Sequence, residues 1–130
     1  MTYKAQIGQL GEDIACEYLV KNKYKIIKRN YRKKWGEIDI IAQKPDKTIV
    51  FVEVKALRQI QSKPSYGQLQ PEDHLTKTKL KKLQKTACLY AGHNNNLIKD
   101  NKGWQIDLIA IDLDNSTDKI CDIRHYENIS

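Results

Sequence analysis

Residues 36–56 read GEIDIIAQKPDKTIVFVEVKA. Two β-prone runs, Gly36–Gln43 and Thr48–Ala56, flank Lys44-Pro45-Asp46-Lys47. Proline and aspartate there favour a turn, so the stretch predicts an antiparallel hairpin. Val50, Val52 and Val54 alternate with Phe51, Glu53 and Lys55, and Ile38, Ile40 and Ala42 alternate with Glu37, Asp39 and Ile41. One face of the hairpin must be buried, so the valine face joins the Ile38/Ile40 face. A three-residue turn over Pro45-Asp46-Lys47 then fixes the register. Ile40 falls opposite Val52, Ile38 opposite Val54, Asp39 opposite Glu53 and Glu37 opposite Lys55.

Working outward, Ile7, Leu10, Ile14 and Tyr18 recur at helical spacing, with Gly11, Ala15 and Leu19 on the same side. They predict a helix from Lys4 to Asn22. Gly8 and Gly11 lower its propensity, which points to close packing there or to a later start. Tyr24 to Asn30 reads as a weak strand. Beyond the hairpin, Leu57 to Leu75 reads as a long loop holding Pro64, Gly67 and Pro71. Thr76 is placed to cap a second helix running to Ala91, ended by Gly92 and a turn at Asn94-Asn95-Asn96. Trp104 to Leu113 is a fourth strand and Ile120 to Tyr126 a weaker fifth. A strand, helix and strand in succession form a crossover with parallel strands. The expected fold is therefore α/β, an αβββαβ core with a mixed central sheet flanked by helices.

At 130 residues the chain is the size of one domain, taken as 1–130. Hydrophobic residues at 40% and charged residues at 30% exclude collagen, a disulfide-dense scaffold and a wholly disordered chain. Cys16, Cys88 and Cys121 are odd in number with no C-x-x-C, which predicts reduced thiols in a cytoplasmic protein. His74, His93 and His125 are scattered, with no close His/Cys cluster of zinc-site spacing. No signal peptide or membrane span is expected. A net charge of +7 attracts polyanions, nucleic acid before an anionic membrane surface, although a plain soluble basic protein meets it too.

The hairpin carries the chemistry. Directly opposed residues have Cβ atoms about 4.5–5.5 Å apart, where like charges repel. Asp39 and Glu53 also interrupt apolar runs, so partial burial makes unpaired charge costly. A divalent cation answers this, since Mg²⁺ takes one or two carboxylates plus phosphate oxygens. A surface pair relieved by Lys55 or water answers it as well. Lys55 lies two residues beyond Glu53 on the same face. Beside a metal-bound phosphate it can stabilise developing charge or orient attacking water. Its other reading is a salt bridge to Glu37 or Glu53.

G-E-I-D-I-I followed by V-F-V-E-V-K resembles the D…E-x-K signature of the restriction-endonuclease-like nuclease superfamily. A wider ordered set includes Gly8, Gly11-Glu12, Ala15, Tyr18-Leu19, Arg29-Asn30-x-Arg32, Gly36 to Asp39 and Phe51 to Lys55. Thr76, Lys79, Ala87 and Asp107 complete it. This set is similar to the bacterial YraN family of predicted endonucleases, distant relatives of archaeal Holliday-junction resolvases. The resemblance implies a restriction-endonuclease-like core with Asp39 and Glu53 as metal ligands and Lys55 as the catalytic lysine. It also implies that Glu12 and the Val54 carbonyl serve the site, that Mg²⁺ or Mn²⁺ is the cofactor, and that branched or structured DNA is the partner. By analogy with junction-resolving relatives it implies a homodimer. One position departs: relatives commonly place an arginine two residues after the lysine, whereas this chain has Leu57 there and Arg58 next.

Basic residues gather in two places. Arg29, Arg32, Lys33 and Lys34 precede the GEID strand and are placed to hold phosphates. Trp35 beside them either stacks on a base or packs inward. In the second helix Lys77, Lys81, Lys82 and Lys85 oppose the apolar arc of Leu80, Leu83, Ala87 and Tyr90, as a solvated or a nucleic-acid face. Lys79 sits at the edge of that arc and points toward the sheet. Asp107 reads as structural hydrogen bonding. The expected function is metal-dependent hydrolysis of DNA phosphodiesters. A non-catalytic nucleic-acid-binding module and a protein-interaction domain on the same fold are the alternatives.

Overall fold

A computed structural model describes residues 2–59, 71–98 and 102–129. The chain runs α1 (Tyr3–Lys21), β1 (Lys25–Lys33), β2 (Gly36–Gln43), β3 (Ile49–Gln59), a 3-10 turn (Pro71–His74), α2 (Lys77–His93), α3 (Asn95–Ile98), β4 (Trp104–Asp114) and β5 (Ile120–Tyr126). The strands lie in chain order in one sheet. β3 and β4 are parallel and the other neighbours antiparallel, so the αβββαβ core with a mixed sheet is present. No helix among the described residues is long and apolar enough to cross a membrane.

The hairpin turn forms as the spacing predicts. Lys44 N–H donates to the Thr48 carbonyl at 2.9 Å. Lys47 is left-handed, with φ 82°, the geometry that closes a three-residue hairpin loop. Ile40 pairs with Val52 and Ala42 with Val50. α1 covers one face, packing Ile7, Ile14 and Leu19 on Ile40, Val50, Val52 and Val54. α2 covers the other, packing Leu83, Ala87 and Tyr90 on Ile38, Ile41 and Phe51.

Ile38 corrects the sequence reading. It lies in the α2 layer, whereas Ile40 lies in the α1 layer. The β2–β3 ladder stops at Ile40–Val52, so Ile38–Val54, Asp39–Glu53 and Glu37–Lys55 are not ladder pairs. The start of β2 is drawn instead toward α2, where Gly36 lies so close to Thr86 that a Cβ would stand 2.1 Å from the threonine Oγ1. On its other edge β1 keeps hold of this end, pairing Tyr31 with Ile38.

The helices resolve the glycine question. Thr2 Oγ1 accepts the Ala5 amide at 3.1 Å and caps α1 early, so the helix does not start late. Gly11 is the close contact: its Cβ would meet that of Ala56 at 2.7 Å, while Gly8 has nothing within 4 Å. Thr76 caps α2 through the Lys79 amide. α2 continues through Gly92 to His93, and α3 stands where an asparagine turn was expected. β1 and β3 outrun their predicted ends, and the 3-10 turn occupies part of the predicted loop. Pro64 and Gly67 lie outside the described residues.

Candidate active site

Where β2 and β3 part, the Asp39 side chain fills the opening. Its Oδ2 accepts the Val54 amide at 2.8 Å, replacing a ladder bond. Glu53 hydrogen-bonds the same carboxylate, and both side chains are half-buried. Burial raises the pKa of both acids. The Asp39 charge and hydrogen bond raise Glu53 further, against Lys55 and Lys79. Two carboxylates so close do not both ionise without a compensating charge. A strand residue's N–H and C=O project to the same edge, so the Val54 carbonyl opens onto the same gap.

Glu12 reaches this gap from α1. Its Oε1 is buried with no hydrogen-bond partner among the described residues. Burial first and the Asp39 charge second raise its pKa to about 7, while Arg29 and Arg32 oppose them. Three carboxylates, one of them with the orphaned Glu12 Oε1, and one main-chain carbonyl make an oxygen-only donor set. That chemistry fits a hard divalent cation such as Mg²⁺ or Mn²⁺.

Glu53 and Lys55 face the α2 side. They line a cavity of about 210 Å³ with Lys79, Lys82, Thr86 and His74, roomy enough for several waters. Lys55, Lys79 and Lys82 make no ion pair at contact distance among the described residues, whereas Glu37, on the rim, takes Arg32 at 2.7 Å. Lys79 was singled out by the helical wheel. The wheel puts Lys82 on the outer face with Lys77, Lys81 and Lys85, and its place on the cavity wall corrects that; His74 has no place in the sequence reading of the site. Lys79, Lys82 and Thr86 follow i, i+3, i+7 spacing, a signal for one helix face, but the apolar arc obscured it. His74 carries no motif.

The basic cluster before β2 is divided between two faces. Arg29 and Arg32 line a cavity beside Glu12, and Arg29 donates to Asp13 at 2.7 Å. Lys33 lies over the Tyr31 ring, 5.6 Å from its centroid, beside Trp35. The cause is Asn30, left-handed with φ 52°, which interrupts strand alternation between Arg29 and Tyr31. Lys34 is exposed in the turn. Arg58 is committed elsewhere, to Asp118 at 2.5 and 2.7 Å and to the Tyr3 ring, 4.6 Å from its centroid.

A second polar cluster joins Asp107, His125 and Glu127, whose ligand atoms lie within 4.8 Å of one another. Its donors are already used. Asp107 accepts Gln105 Nε2, His125 Nε2 and the Asn128 amide at 2.7–2.9 Å. The other His125 nitrogen bonds the Tyr18 hydroxyl at 3.0 Å, and Glu127 faces Lys44 at 3.3 Å. This network ties β4 and β5 to α1, in keeping with a structural Asp107.

Comparison with known proteins agrees with the motif pattern. A "UPF0102 protein" of Campylobacter lari is 38% identical over 123 residues, covering 95% of this chain and 92% of the relative. One from Persephonella marina is 43% identical over 106 residues, covering 80% and 81%. One from Sulfurihydrogenibium is 41% identical over 108 residues, covering 83% and 85%. The family model described as "Uncharacterised protein family UPF0102" matches residues 11–111, a span that runs from Gly11-Glu12 through the hairpin to β4. The chain belongs to the UPF0102 (YraN) family.

Proposed function

We propose that this protein is a divalent-metal-dependent endonuclease of the restriction-endonuclease-like type, hydrolysing phosphodiester bonds in branched or structured DNA. The observation that carries this reading is the half-buried Asp39–Glu53 carboxylate pair, set in a gap of the sheet beside the orphaned Glu12 oxygen and next to Lys55. A salt-bridged surface pair has no need of a third buried carboxylate. Asp39, Glu53, Glu12 and the Val54 carbonyl would hold Mg²⁺ or Mn²⁺. A bound divalent cation supplies Lewis-acid polarisation of the phosphate and lowers the pKa of bound water.

The chain's own residues do the rest. The Val54 amide fixes the Asp39 carboxylate, so its orientation is set before any ligand arrives. Lys55 and Lys79 face the cavity without contact ion pairs among the described residues, placed to bind the oxygens of the scissile phosphate and to balance charge that develops there. Lys82 and the outer lysines of α2 extend the same positive field and bring the strand in.

The test is strand cleavage of branched, nicked and linear DNA with Mg²⁺ and with Mn²⁺. It compares wild type, Asp39→Asn and Lys55→Ala, purified identically and checked for folding. Cleavage by wild type should fall at least about 100-fold in both variants. Lys55→Ala should keep metal and DNA binding, whereas Asp39→Asn should lose metal affinity. Equal residual cleavage in all three marks a contaminant. No cleavage by wild type on any substrate rejects the enzyme in favour of a binding module.

A further inference from the structure

His74 stands between two cavities. One is the cleft of Glu53 and Lys55. The other, of about 220 Å³, lies between α1 and β3 and is lined by Tyr3, Lys4, Val54 and Lys55 as well as His74. Lys55 and His74 are the residues common to both.

The His74 Nε2 is buried and has no hydrogen-bond partner among the described residues. An unpaired buried ring nitrogen costs stability unless a ligand completes it. The charges around it say what kind of ligand. Lys55, Lys79 and Lys4 face the ring from β3, α2 and α1, with Asp73 the acid on its own turn. Burial first and these cations next lower the pKa of the imidazole, which favours its neutral form, with one N–H to donate. The turn is anchored without using the ring. Glu72 takes a forked pair of bonds from Arg124 at 2.5 and 2.7 Å and the Tyr126 hydroxyl at 2.6 Å. Arg58 also lines the second cavity, but its guanidinium is held by Asp118.

We propose that His74, Lys4 and Lys55 form a second anion site, which takes a phosphate of the nucleic acid adjacent to the one at the carboxylate centre. The identity of the polyanion rests on the nuclease reading above. Because Lys55 borders both cavities, successive phosphates of one strand occupy them with the lysine between. An internal diester and a terminal monoester offer the same oxygens, and the experiment separates them.

The full chain, in EDTA, is titrated with inorganic phosphate and then with short duplexes while the histidine ring signals are followed by NMR. His74→Phe assigns the His74 signals. Phosphate should move those signals, leave the His93 and His125 signals unmoved, and act more weakly on Lys4→Gln. His74→Phe should lower DNA affinity about tenfold, His74→Gln, which keeps a donor, should recover most of it, and Lys4→Gln should reduce the salt slope by about 0.9. Tighter binding of 5′-phosphorylated than of 5′-hydroxyl duplexes assigns the site to a terminal monoester, and equal binding assigns it to an internal diester. His74 signals that neither phosphate nor DNA moves overturn the proposal, even where metal-dependent cleavage is intact. Should His74→Phe fail to fold, the wild-type titration and Lys4→Gln decide. A chain that never cleaves DNA but whose His74 signals respond to phosphate loses the nuclease reading and keeps the site.

Discussion

Asp39 Oδ2 accepts the Val54 amide at 2.8 Å across the point where β2 and β3 separate. That bond explains how a carboxylate comes to lie in the seam of a sheet. Strand pairing ends one residue away, at Ile40–Val52, and the side chain takes over the donor that the ladder abandons. Its second oxygen is then available to Glu53 and, in the reading proposed above, to a cation.

Replacing Asp39 with asparagine separates these roles. The amide oxygen of asparagine still accepts the Val54 N–H, and the competition of two carboxylates for ionisation in one half-buried gap disappears. Without metal, Asp39→Asn should melt at or above the wild-type temperature. With Mg²⁺ or Mn²⁺ at 100 times its Kd, wild type should gain about 2.7 kcal/mol and the variant far less. Thermal melts with and without metal measure this. An equal gain in both proteins would remove Asp39 from the ligand set.

The hairpin, its register between the turn and Ile40–Val52, and the parallel crossover were legible because period-two alternation and turn chemistry are local signals. Proximity of Asp39 to Glu53 was legible too, but for a different reason than the one that holds. Simple alternation puts Ile38 with Ile40, whereas the start of β2 packs on α2, with Gly36 against Thr86 some fifty residues away in the chain, and Ile38 lies in that layer. Arg29 and Lys33 read as one patch because nothing in the sequence announces that Asn30 is left-handed. His74 was invisible for the same kind of reason: its importance lies in which elements converge on it, not in its neighbours along the chain.

Three glycines give opposite expectations. Gly8→Ala adds helix propensity in open space and should raise stability by about 0.5–1 kcal/mol. Gly11→Ala gains the same propensity but drives a Cβ to 2.7 Å from Ala56, so it should lower stability by about 1–3 kcal/mol. Gly36→Ala should be worse, since it combines a 2.1 Å contact with a backbone φ of 155°. Urea unfolding of the three variants gives the order, and a destabilised Gly8→Ala would contradict the packing described for α1.

Glu72 sets an acid limb of stability. Arg124 and the Tyr126 hydroxyl lower its pKa to about 2 from an ordinary value of 4.5, against burial. An acid with a depressed folded pKa stabilises the fold fully above its unfolded pKa and loses that contribution as pH falls through the folded one. Stability from this pair should therefore be whole above pH 4.5 and fade toward pH 2. Both side chains are 24% exposed, so after screening Glu72→Gln should cost about 1–2 kcal/mol at neutral pH. The gap from wild type should close near pH 2. Chemical denaturation across that range measures the gap, and a constant difference at all pH values would assign the cost to packing.

The lysines of α2 distinguish a strand that enters the cleft from one that crosses the outer face of the helix. Lys79 and Lys82 line the cavity with Glu53 and Lys55, while Lys77, Lys81 and Lys85 are exposed away from it. Each lysine that meets a phosphate releases counterions, and its loss lowers the salt slope of binding by about 0.9. The pair Lys79→Gln/Lys82→Gln should therefore reduce the slope by about 1.8, and the triple Lys77→Gln/Lys81→Gln/Lys85→Gln by much less than the 2.7 or so that three direct contacts would give. Fluorescence anisotropy with a labelled duplex, between low and moderate salt, reads both. The reverse outcome, a large change in the triple variant and none in the pair, would place the DNA on the outer face of α2 and detach the basic surface from the carboxylates.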